Sequence, residues 1–352
     1  MIARTATPAL ERLRRIARRL RRPARLLARA AAVALAVVLL IAGAAAAALR
    51  AQFTGTPAVW AKTSGHDALW LGHAWVDGRR TEADVAALAV RLRATGIRDV
   101  YVHSGPYGWD GALSPTKYPN AGNFLKWWRK HLPDVRVSAW LGQAVKNGLD
   151  LGDPAARRRV VAGAADLTRL GYDGIHYDFE PVNDGDPNLL AVLRATRTAI
   201  GPDRPLSVAT HQIEPLSGVR HPLRLVMGHD KYWTTAYFRQ VADLVDQVAI
   251  MTYDSFLPFE SLYGGHVVRQ ATLALENLPP HKTILIGAPA YHDHGWSRLD
   301  ASESVAVAAE GARLALTDHG SPRERFGLAP YVDFAATEQD WREYQQSWVS
   351  PR

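Results

Sequence analysis

Residues 171–181 read Gly-Tyr-Asp-Gly-Ile-His-Tyr-Asp-Phe-Glu-Pro, and they predict a buried strand with ionisable side chains on one face. In an extended strand every second side chain points to the same face. His176, Asp178 and Glu180 should therefore share one face, and the apolar residues between them the other. Burying a carboxylate in a packed core costs free energy unless it is paired or hydrogen-bonded. Two carboxylates on one strand therefore indicate a functional site. A structural ion-pair network is the alternative interpretation.

Outward from this strand, the chain alternates short apolar runs with helix-period stretches from residue 56 to residue 352. Eight runs read as strands: 68–75, 99–103, 135–141, 174–180, 206–211, 247–254, 283–291 and 328–334. Helix-period stretches include 81–95, 153–170, 187–200 and 302–319. Eight such repeats predict an α/β domain of the TIM barrel type, (β/α)8, over 56–352. A doubly wound open sheet is the alternative, although no Gly-rich phosphate loop follows the first strand.

Chemically active side chains gather at the predicted strand ends, where TIM barrels carry their active sites. Beside Asp178 and Glu180, these ends hold Trp75, His103, Gln143, His211, Tyr253, Asp254 and Tyr291. The predicted strand starts hold mostly Val, Leu, Ile and Ala. This asymmetry indicates function independently of any family.

The first fifty residues differ in kind from the rest. Residues 1–29 hold ten arginines and one glutamate, and 30–49 contain only Ala, Val, Leu, Ile and Gly. About twenty apolar residues at 1.5 Å each span the roughly 30 Å hydrocarbon core of a bilayer. The apolar segment 30–49 is therefore predicted to be a transmembrane helix. The arginines before it predict that residues 1–29 form a basic cytoplasmic tail and that the domain after it is extracytoplasmic. Alanines 44–48 would also suit a signal peptidase, so a cleaved, secreted form is the alternative to an uncleaved anchor.

Composition excludes several classes of partner. The net charge is +8, but residues 1–50 hold eleven arginines and one glutamate, which leaves −2 for the rest. The basic cluster is therefore explained by membrane topology, and no nucleic-acid partner is expected. The chain has no cysteine, so disulfides and thiolate chemistry are absent. Its histidines lack the i, i+4 spacing of a zinc helix, and we expect neither a metal nor a cofactor.

Residues 173–180, Asp-Gly-Ile-His-Tyr-Asp-Phe-Glu, resemble the Asp-Gly-x-Asp-x-Asp-x-Glu signature of family 18 glycoside hydrolases, the chitinase family. Met-Thr-Tyr-Asp at 251–254 is similar to that family's Met-x-Tyr-Asp motif at the end of the sixth strand. Gly-Ala-Pro-Ala-Tyr at 287–291 is similar to its seventh strand. The resemblance thus covers the whole domain after the apolar segment.

The resemblance implies a catalytic role for three residues. Glu180 would be the general acid that protonates the glycosidic oxygen. Asp178 would orient the substrate's 2-acetamido group, whose carbonyl oxygen attacks the anomeric carbon, so no enzyme nucleophile is needed. Tyr253 would hydrogen-bond the acetamido oxygen.

Further residues are expected to contact substrate. They are His176, Asp254, Met251, Trp75, Gln143, His211, Tyr291 and Trp296. The chain departs from the family at two places. His176 stands where the family has the first aspartate. At the eighth strand, where the family commonly places a tryptophan as the floor of the site, this sequence offers Tyr331, Asp333 and Phe334.

These observations predict a membrane-anchored, extracytoplasmic glycosidase that cleaves β-linked N-acetylhexosamine glycan, with peptidoglycan or chitin as its polysaccharide substrate. A catalytically inactive barrel that binds cell-wall glycan is the first alternative. The second is a glycosidase for sugars without the acetamido group, which would require another carboxylate near the acid.

Overall fold

In residues 8–292 and 302–351, which the computed structural model describes, eight parallel strands form one sheet. In hydrogen-bonded order they are β1 (Asp67–Leu71), β2 (Ile97–His103), β3 (Arg136–Ala144), β4 (Gly174–Glu180), β5 (Leu206–Thr210), β8 (Gln247–Ile250), β9 (Thr283–Pro289) and β10 (Phe326–Tyr331). Between β5 and β8, β6 (Gln212–Ile213) and β7 (Tyr232–Trp233) form a separate small parallel sheet. The Leu328 amide of β10 donates to the Asp67 carboxylate of β1 at 2.9 Å, which helps to close the barrel.

Helices alternate with the strands on the outside. After α1 (Pro8–Gln52) come α2 (Glu82–Leu92), α3 (Ala121–His131), α4 (Pro154–Leu170), α5 (Pro187–Ile200), α6 (Arg220–Met227), α7 (Thr235–Leu244), α8 (Glu260–Asn277), α9 (Val305–His319) and α10 (Glu338–Tyr344). The predicted (β/α)8 barrel is therefore confirmed, and the doubly wound alternative is wrong. The eight predicted strands are all present, with ends that differ by at most four residues.

The chain folds as two units, Met1–Ala48 and Leu49–Arg352. In the first, the described residues from Pro8 onward are helical, and the segment Arg29–Gln52 is long and apolar enough to cross a membrane. The second begins with Leu49 and Phe53 packed on α8. A Cβ on Gly265 would lie 1.9 Å from the Leu49 carbonyl oxygen, so only glycine permits this close approach.

Aromatic side chains facing small residues fill the interior of the barrel. Trp70, Tyr101 and Trp140 pack with Ala68, Ala249, Leu285, Ala329 and Val332. A second, larger core lies between the sheet and the helices, and it takes the alternate β4 residues Ile175, Tyr177 and Phe179. The predicted two faces of β4 are thus observed.

Helix α4 leads the chain into β4. The Asp153 carboxylate accepts from the amides of Ala155 and Ala156 at 2.8 and 3.2 Å, and proline occupies the first helical position. The helix ends at Gly171, whose φ of 121° is accessible chiefly to glycine. These signals fix where β4 begins and hence which residues reach its carboxyl end.

Candidate active site

Asp178 and Glu180 lie at the carboxyl end of β4, where the sheet register pairs Asp178 with Gly142 of β3. A Cβ on Gly142 would lie 2.1 Å from the Asp178 carbonyl oxygen, so the glycine lets the strands approach. Trp140 Nε1 donates to Asp178 Oδ2 at 2.9 Å. The other oxygen, Oδ1, is buried and has no hydrogen-bond partner among the described residues. One carboxylate oxygen is therefore fixed, and the second is a buried acceptor without a donor among the described residues.

Both carboxylates line a cavity of about 270 Å³ at the mouth of the barrel. Its wall comprises Trp70, Asp178, Glu180, Ala209, Met251, Tyr253, Asp254, Tyr291, Tyr331, Val332, Phe334 and Ala335. An apolar wall with a few convergent polar groups is typical of a small-molecule site, and ring faces suit the apolar faces of sugars.

Tyr331 is the centre of the aromatic wall. Its ring stacks on Tyr253 with centroids 5.3 Å apart and an interplanar angle of 21°. Tyr291 stands at 90° to it, 5.6 Å away, and Trp70 at 77°, 5.5 Å away. Of the three residues that the sequence offered for the floor of the site, Tyr331 and Phe334 line the cavity and Asp333 does not.

The two carboxyl groups are electrostatically coupled. Glu180 is reached by solvent from the cavity but surrounded by protein on its other sides, and this burial raises its pKa. The negative charges of Asp178 and Asp254 raise it further, and Lys231 opposes them. Burial also raises the pKa of Asp178, against the Trp140 hydrogen bond, which lowers it. Among the described residues no group donates a hydrogen bond to the Glu180 carboxyl, and the neighbouring negative charges disfavour its ionised form, so it is the better proton donor of the two.

Tyr253 and Asp254 reach the cavity from the turn after β8. Gly287 of β9 makes room for Tyr253, because a Cβ there would lie 2.9 Å from the tyrosine ring. Asp254 has a φ of 53° and Phe256 a φ of 64°, left-handed conformations that non-glycine residues rarely adopt. The turn is nevertheless held, since the Asp254 amide donates to Glu303 Oε2 at 2.9 Å.

His176 is fully buried beneath the cavity and is not part of its wall, a correction to the expected substrate contact. Trp70 Nε1 donates to His176 Nε2 at 3.1 Å, so the proton is on Nδ1, which lies 2.9 Å from Ser207 Oγ. The ring stacks on Tyr101 at 3.8 Å. Burial lowers the pKa of His176 to about 3, so the ring is neutral. Both nitrogens are engaged by these groups, and His176 is therefore no hydrogen-bond partner of Asp178.

Apart from His211, which is described below, the other expected substrate contacts divide into three groups. Met251, Asp254 and Tyr291 line the cavity, as does the catalytic candidate Tyr253. Gln143 and Trp75 do not line it: Gln143 Nε2 donates to the Tyr107 carbonyl, and Trp75 is buried with its Nε1 bonded to Asp333 Oδ2 at 2.7 Å. Trp296 lies outside the described residues.

His211 lines a second cavity of about 160 Å³ on the other side of Glu180. Its wall comprises Glu180, His211, Gln212, Met227, His229, Lys231, Met251, Tyr253 and Asp254. Several of these belong to the segment between β5 and β8 that contains β6, α6 and β7, which we call the insertion. Burial lowers the pKa of His211 to about 4, so that ring is neutral too.

A larger groove, about 480 Å³, lies at the opposite end of the barrel, between the loops that precede β2 and β3. Its wall includes Arg93, His131 and Asp134. It has no pair of carboxylates, and TIM barrels carry their chemistry at the other end. Chemistry and fold therefore select the smaller cavity beside Glu180. Among the described residues, no group of three His, Asp or Glu side chains is placed to hold a metal ion.

Three contributors to the site were not singled out from the sequence. Trp140 holds Asp178, Lys231 Nζ donates to the Asp254 carbonyl at 2.8 Å, and Glu303 accepts the Asp254 amide. For Trp140 a signal exists, because it lies two residues before Gly142 on a predicted strand next to β4. For Lys231 and Glu303 the sequence carries no local signal.

Fold and site together define a (β/α)8 barrel with two carboxylates, Asp178 and Glu180, at the end of its fourth strand. The solved structures that match it include the spore cortex-lytic enzyme SleL of Bacillus cereus, with a TM-score of 0.58 and 16% identity over 84% of this chain and 76% of that chain. The chitinase of Chromobacterium violaceum gives 0.57 and 18% over 80% and 98%. A class V chitinase of Pseudomonas fluorescens gives 0.56 and 15% over 80% and 98%.

At these identities the likeness shows the fold alone, a barrel that this chain shares with the two chitinases and the cortex-lytic enzyme. The resemblance stated from the sequence is confirmed at that level. No protein-family model matches the chain, and no curated protein matches it either.

Proposed function

We propose that the protein is a retaining glycoside hydrolase that cleaves β-linked N-acetylhexosamine glycan with the help of the substrate's own acetamido group. The observation that carries the proposal is the state of Asp178. One of its oxygens is fixed by Trp140, and the other is buried without a partner among the described residues, beside an acid whose pKa is raised. An acetamido N–H is a donor of the kind that this oxygen lacks.

In the first step the Glu180 carboxyl protonates the glycosidic oxygen, and the bond from that oxygen to the anomeric carbon breaks. The acetamido carbonyl oxygen forms a new bond to the anomeric carbon from the opposite side, which gives a cyclic oxazolinium ion. Asp178 accepts the acetamido N–H and stabilises the positive charge, and Tyr253 donates to the acetamido oxygen.

In the second step water attacks the anomeric carbon, and the Glu180 carboxylate removes its proton. The bond to the acetamido oxygen breaks, and the acid is restored. Two inversions at one carbon give overall retention.

A mechanism with an enzyme nucleophile would need a second carboxylate about 5 Å from the acid. At the end of strand β9, where such a residue would be expected, Tyr291 lines the cavity two residues after the strand. Of the described carboxylates in the wall, Asp178 is tied to Trp140, and Asp254 lies on the left-handed turn after β8. These placements favour the acetamido group as the nucleophile.

Chitin and peptidoglycan are the candidate polymers because both contain β-linked N-acetylhexosamine. The neighbours named as chitinases and as a spore cortex-lytic enzyme support this class of substrate. The arginine-rich residues 1–29 and the apolar helical segment Arg29–Gln52 support a membrane anchor with the barrel on the extracytoplasmic side.

The proposal is tested with the barrel unit from Leu49 onward, incubated with chitin oligomers and with peptidoglycan while products are identified by mass. Cleavage next to an N-acetylhexosamine, lost in Glu180→Gln, is expected. His176 in place of the family's aspartate favours the second candidate, a barrel that binds glycan without cutting it. Binding without any product in the wild type would establish that candidate instead.

A further inference from the structure

Lys231 is a cation placed beside the acid, outside the pair of carboxylates that the mechanism uses. It directly precedes β7 and lines the second cavity with Glu180. Its Nζ donates to the Asp254 carbonyl at 2.8 Å and lies 4.7 Å from the centroid of the Phe256 ring. Lys231 thus binds the turn that follows Tyr253 through the backbone carbonyl of Asp254.

Glu303 holds the same turn from its amide side. Its Oε2 accepts the Asp254 amide at 2.9 Å, and its Oε1 accepts the Ser255 amide at 2.8 Å and the Ser255 hydroxyl at 2.6 Å. Glu303 is almost fully buried. The left-handed conformations of Asp254 and Phe256 are unfavourable for non-glycine residues, so they persist only where the surroundings enforce them.

We propose that Lys231 is a positioning residue with two effects on the site. Together with Glu303 it fixes the turn that carries Tyr253 and Asp254. Its positive charge also offsets the negative charges of the carboxylates around Glu180. The proposal rests on the proposed function in so far as Glu180 is the acid. It adds a role for the insertion between β5 and β8, which supplies Lys231.

The charged and titratable groups around the acid come from several elements. Those that face Glu180 are Asp178 from β4, Tyr253 and Asp254 from the turn after β8, His211 from the end of β5, and His229 and Lys231 from the insertion. Those that interact with Lys231 are Asp254, Glu303, Glu180, His211 and His266.

Among these groups Lys231 has the opposite charge to the carboxylates. Burial lowers the pKa of Lys231 to about 8, against the carboxylates that raise it. Lys231 in turn lowers the pKa of Glu180, against burial and two aspartates. Removal of the ammonium should therefore raise the pKa of Glu180.

A direct test is titration of the Glu180 carboxyl carbon by NMR in protein labelled with ¹³C-glutamate, assigned by comparison with Glu180→Gln. The Glu180 pKa should rise in Lys231→Met and return toward the wild-type value in Lys231→Arg. The matched control is Lys146→Met, since Lys146 Nζ donates to the Met227 carbonyl at 3.2 Å but lines neither cavity. An unchanged or lowered Glu180 pKa in Lys231→Met would overturn the proposal.

This titration needs no substrate, so it decides the question even if the wild type cleaves no glycan and the proposed function fails. For an active wild type, kcat of Lys231→Met should fall about 10- to 100-fold with KM little changed, because a catalytic group displaced by about 1 Å costs on that order. Lys231→Arg should recover most of the loss. Equal losses in the Met and Arg variants, with circular dichroism showing that both are folded, would contradict the role of the charge.

Glu303→Gln tests whether Glu303 is needed to fix the turn that carries Asp254. It keeps one acceptor oxygen but loses the charge-assisted hydrogen bonds to the turn. We expect a lower kcat and a Glu180 pKa close to that of the wild type, since the carboxylates that raise this pKa are Asp178 and Asp254. An unchanged kcat would show that Glu303 is not needed to fix this turn.

Discussion

The two cavities that meet at Glu180 are built from different parts of the fold. The cavity on the Asp178 side is walled by aromatic rings from the ends of barrel strands, with Tyr253, Tyr291 and Tyr331 in mutual contact. The cavity on the Lys231 side is walled by polar and basic side chains, several of them from the insertion between β5 and β8. The sheet thus holds the two carboxylates, and the insertion places a cation, Lys231, beside Glu180.

The largest effect is expected at Glu180, which lines both cavities. Glu180→Gln is nearly isosteric but cannot donate a proton, so kcat should fall by roughly two to four powers of ten while glycan binding persists. Steady-state kinetics and equilibrium binding measure the two quantities.

Glu214→Gln is the matched control, because Glu214 is buried and hydrogen-bonded to the amides of Gly218 and Arg220 but lines neither cavity. If the two variants lost the same activity, Glu180 would have no special role.

The next effect isolates the Asp178 side. Trp140→Phe removes the donor to Asp178 Oδ2, and a hydrogen bond to a charged group contributes about 1.5–3 kcal/mol. The value of kcat/KM should fall about 10- to 100-fold, as measured on a chromogenic N-acetylglucosamine oligomer. Trp109→Phe, at an exposed tryptophan, serves as the control and should have little effect. Equal values for Trp140→Phe and the wild type would show that Asp178 needs no support from β3.

A smaller change is expected when Asp254, which both cavities share, loses its charge. The acid must be protonated, so kcat/KM should fall as the pH rises through the pKa of Glu180. This pKa lies above the value of about 4.3 for a free glutamate. Asp254→Asn removes one of the charges that raise the pKa, so the alkaline limb should shift to lower pH. A limb that stayed in place or moved upward would contradict this assignment of the charges.

The smallest effect on turnover is expected far from both cavities. Phe53 packs on Gly264 of α8, and Phe53→Ala should cost about 1–3 kcal/mol of unfolding free energy, less than a fully buried phenylalanine. Both kcat and KM should be unchanged below the melting temperature. Thermal unfolding of the barrel unit from Leu49 measures the loss, with the exposed Val59→Ala as control. A change in kcat would show that the α8 side communicates with the site.

The strand pattern could be predicted because it is local. The alternation in 174–180 and the eight apolar runs specify faces and order, and caps such as Asp153 and Gly171 mark where elements start and stop. The cavity residues Asp178, Glu180, Tyr253 and Tyr291 followed from the rule that strand ends meet at one edge.

Alternation gives the face of a residue but not its depth. His176 lies two residues before Asp178, which at about 3.3 Å per residue places it roughly 7 Å deeper in the barrel. It was therefore expected in the site but is buried under it. Trp75 was expected at a strand end, but β1 stops at Leu71, and Trp75 lies in a 3-10 turn bonded to Asp333.

The Lys231 side could not be predicted, because it depends on contacts between distant segments. Lys231 and Glu303 meet the Asp254 turn only when the insertion and the start of α9 converge on the barrel mouth. In the sequence they resemble ordinary surface charges, and their burial is a property of the tertiary structure.

The claim that the substrate's acetamido group is the nucleophile is tested most directly by the stereochemistry and substrate requirement of the reaction. NMR of the first product formed by the barrel unit from Leu49 should show retained β configuration, and a thiazoline mimic of the cyclised sugar should inhibit competitively. Asp178→Asn should reduce kcat about as severely as Glu180→Gln. Tyr253→Phe should have a smaller effect, an increase of about 1–3 kcal/mol in the activation free energy. Inversion of configuration, or efficient hydrolysis of an otherwise identical substrate without the 2-acetamido group, would contradict the mechanism.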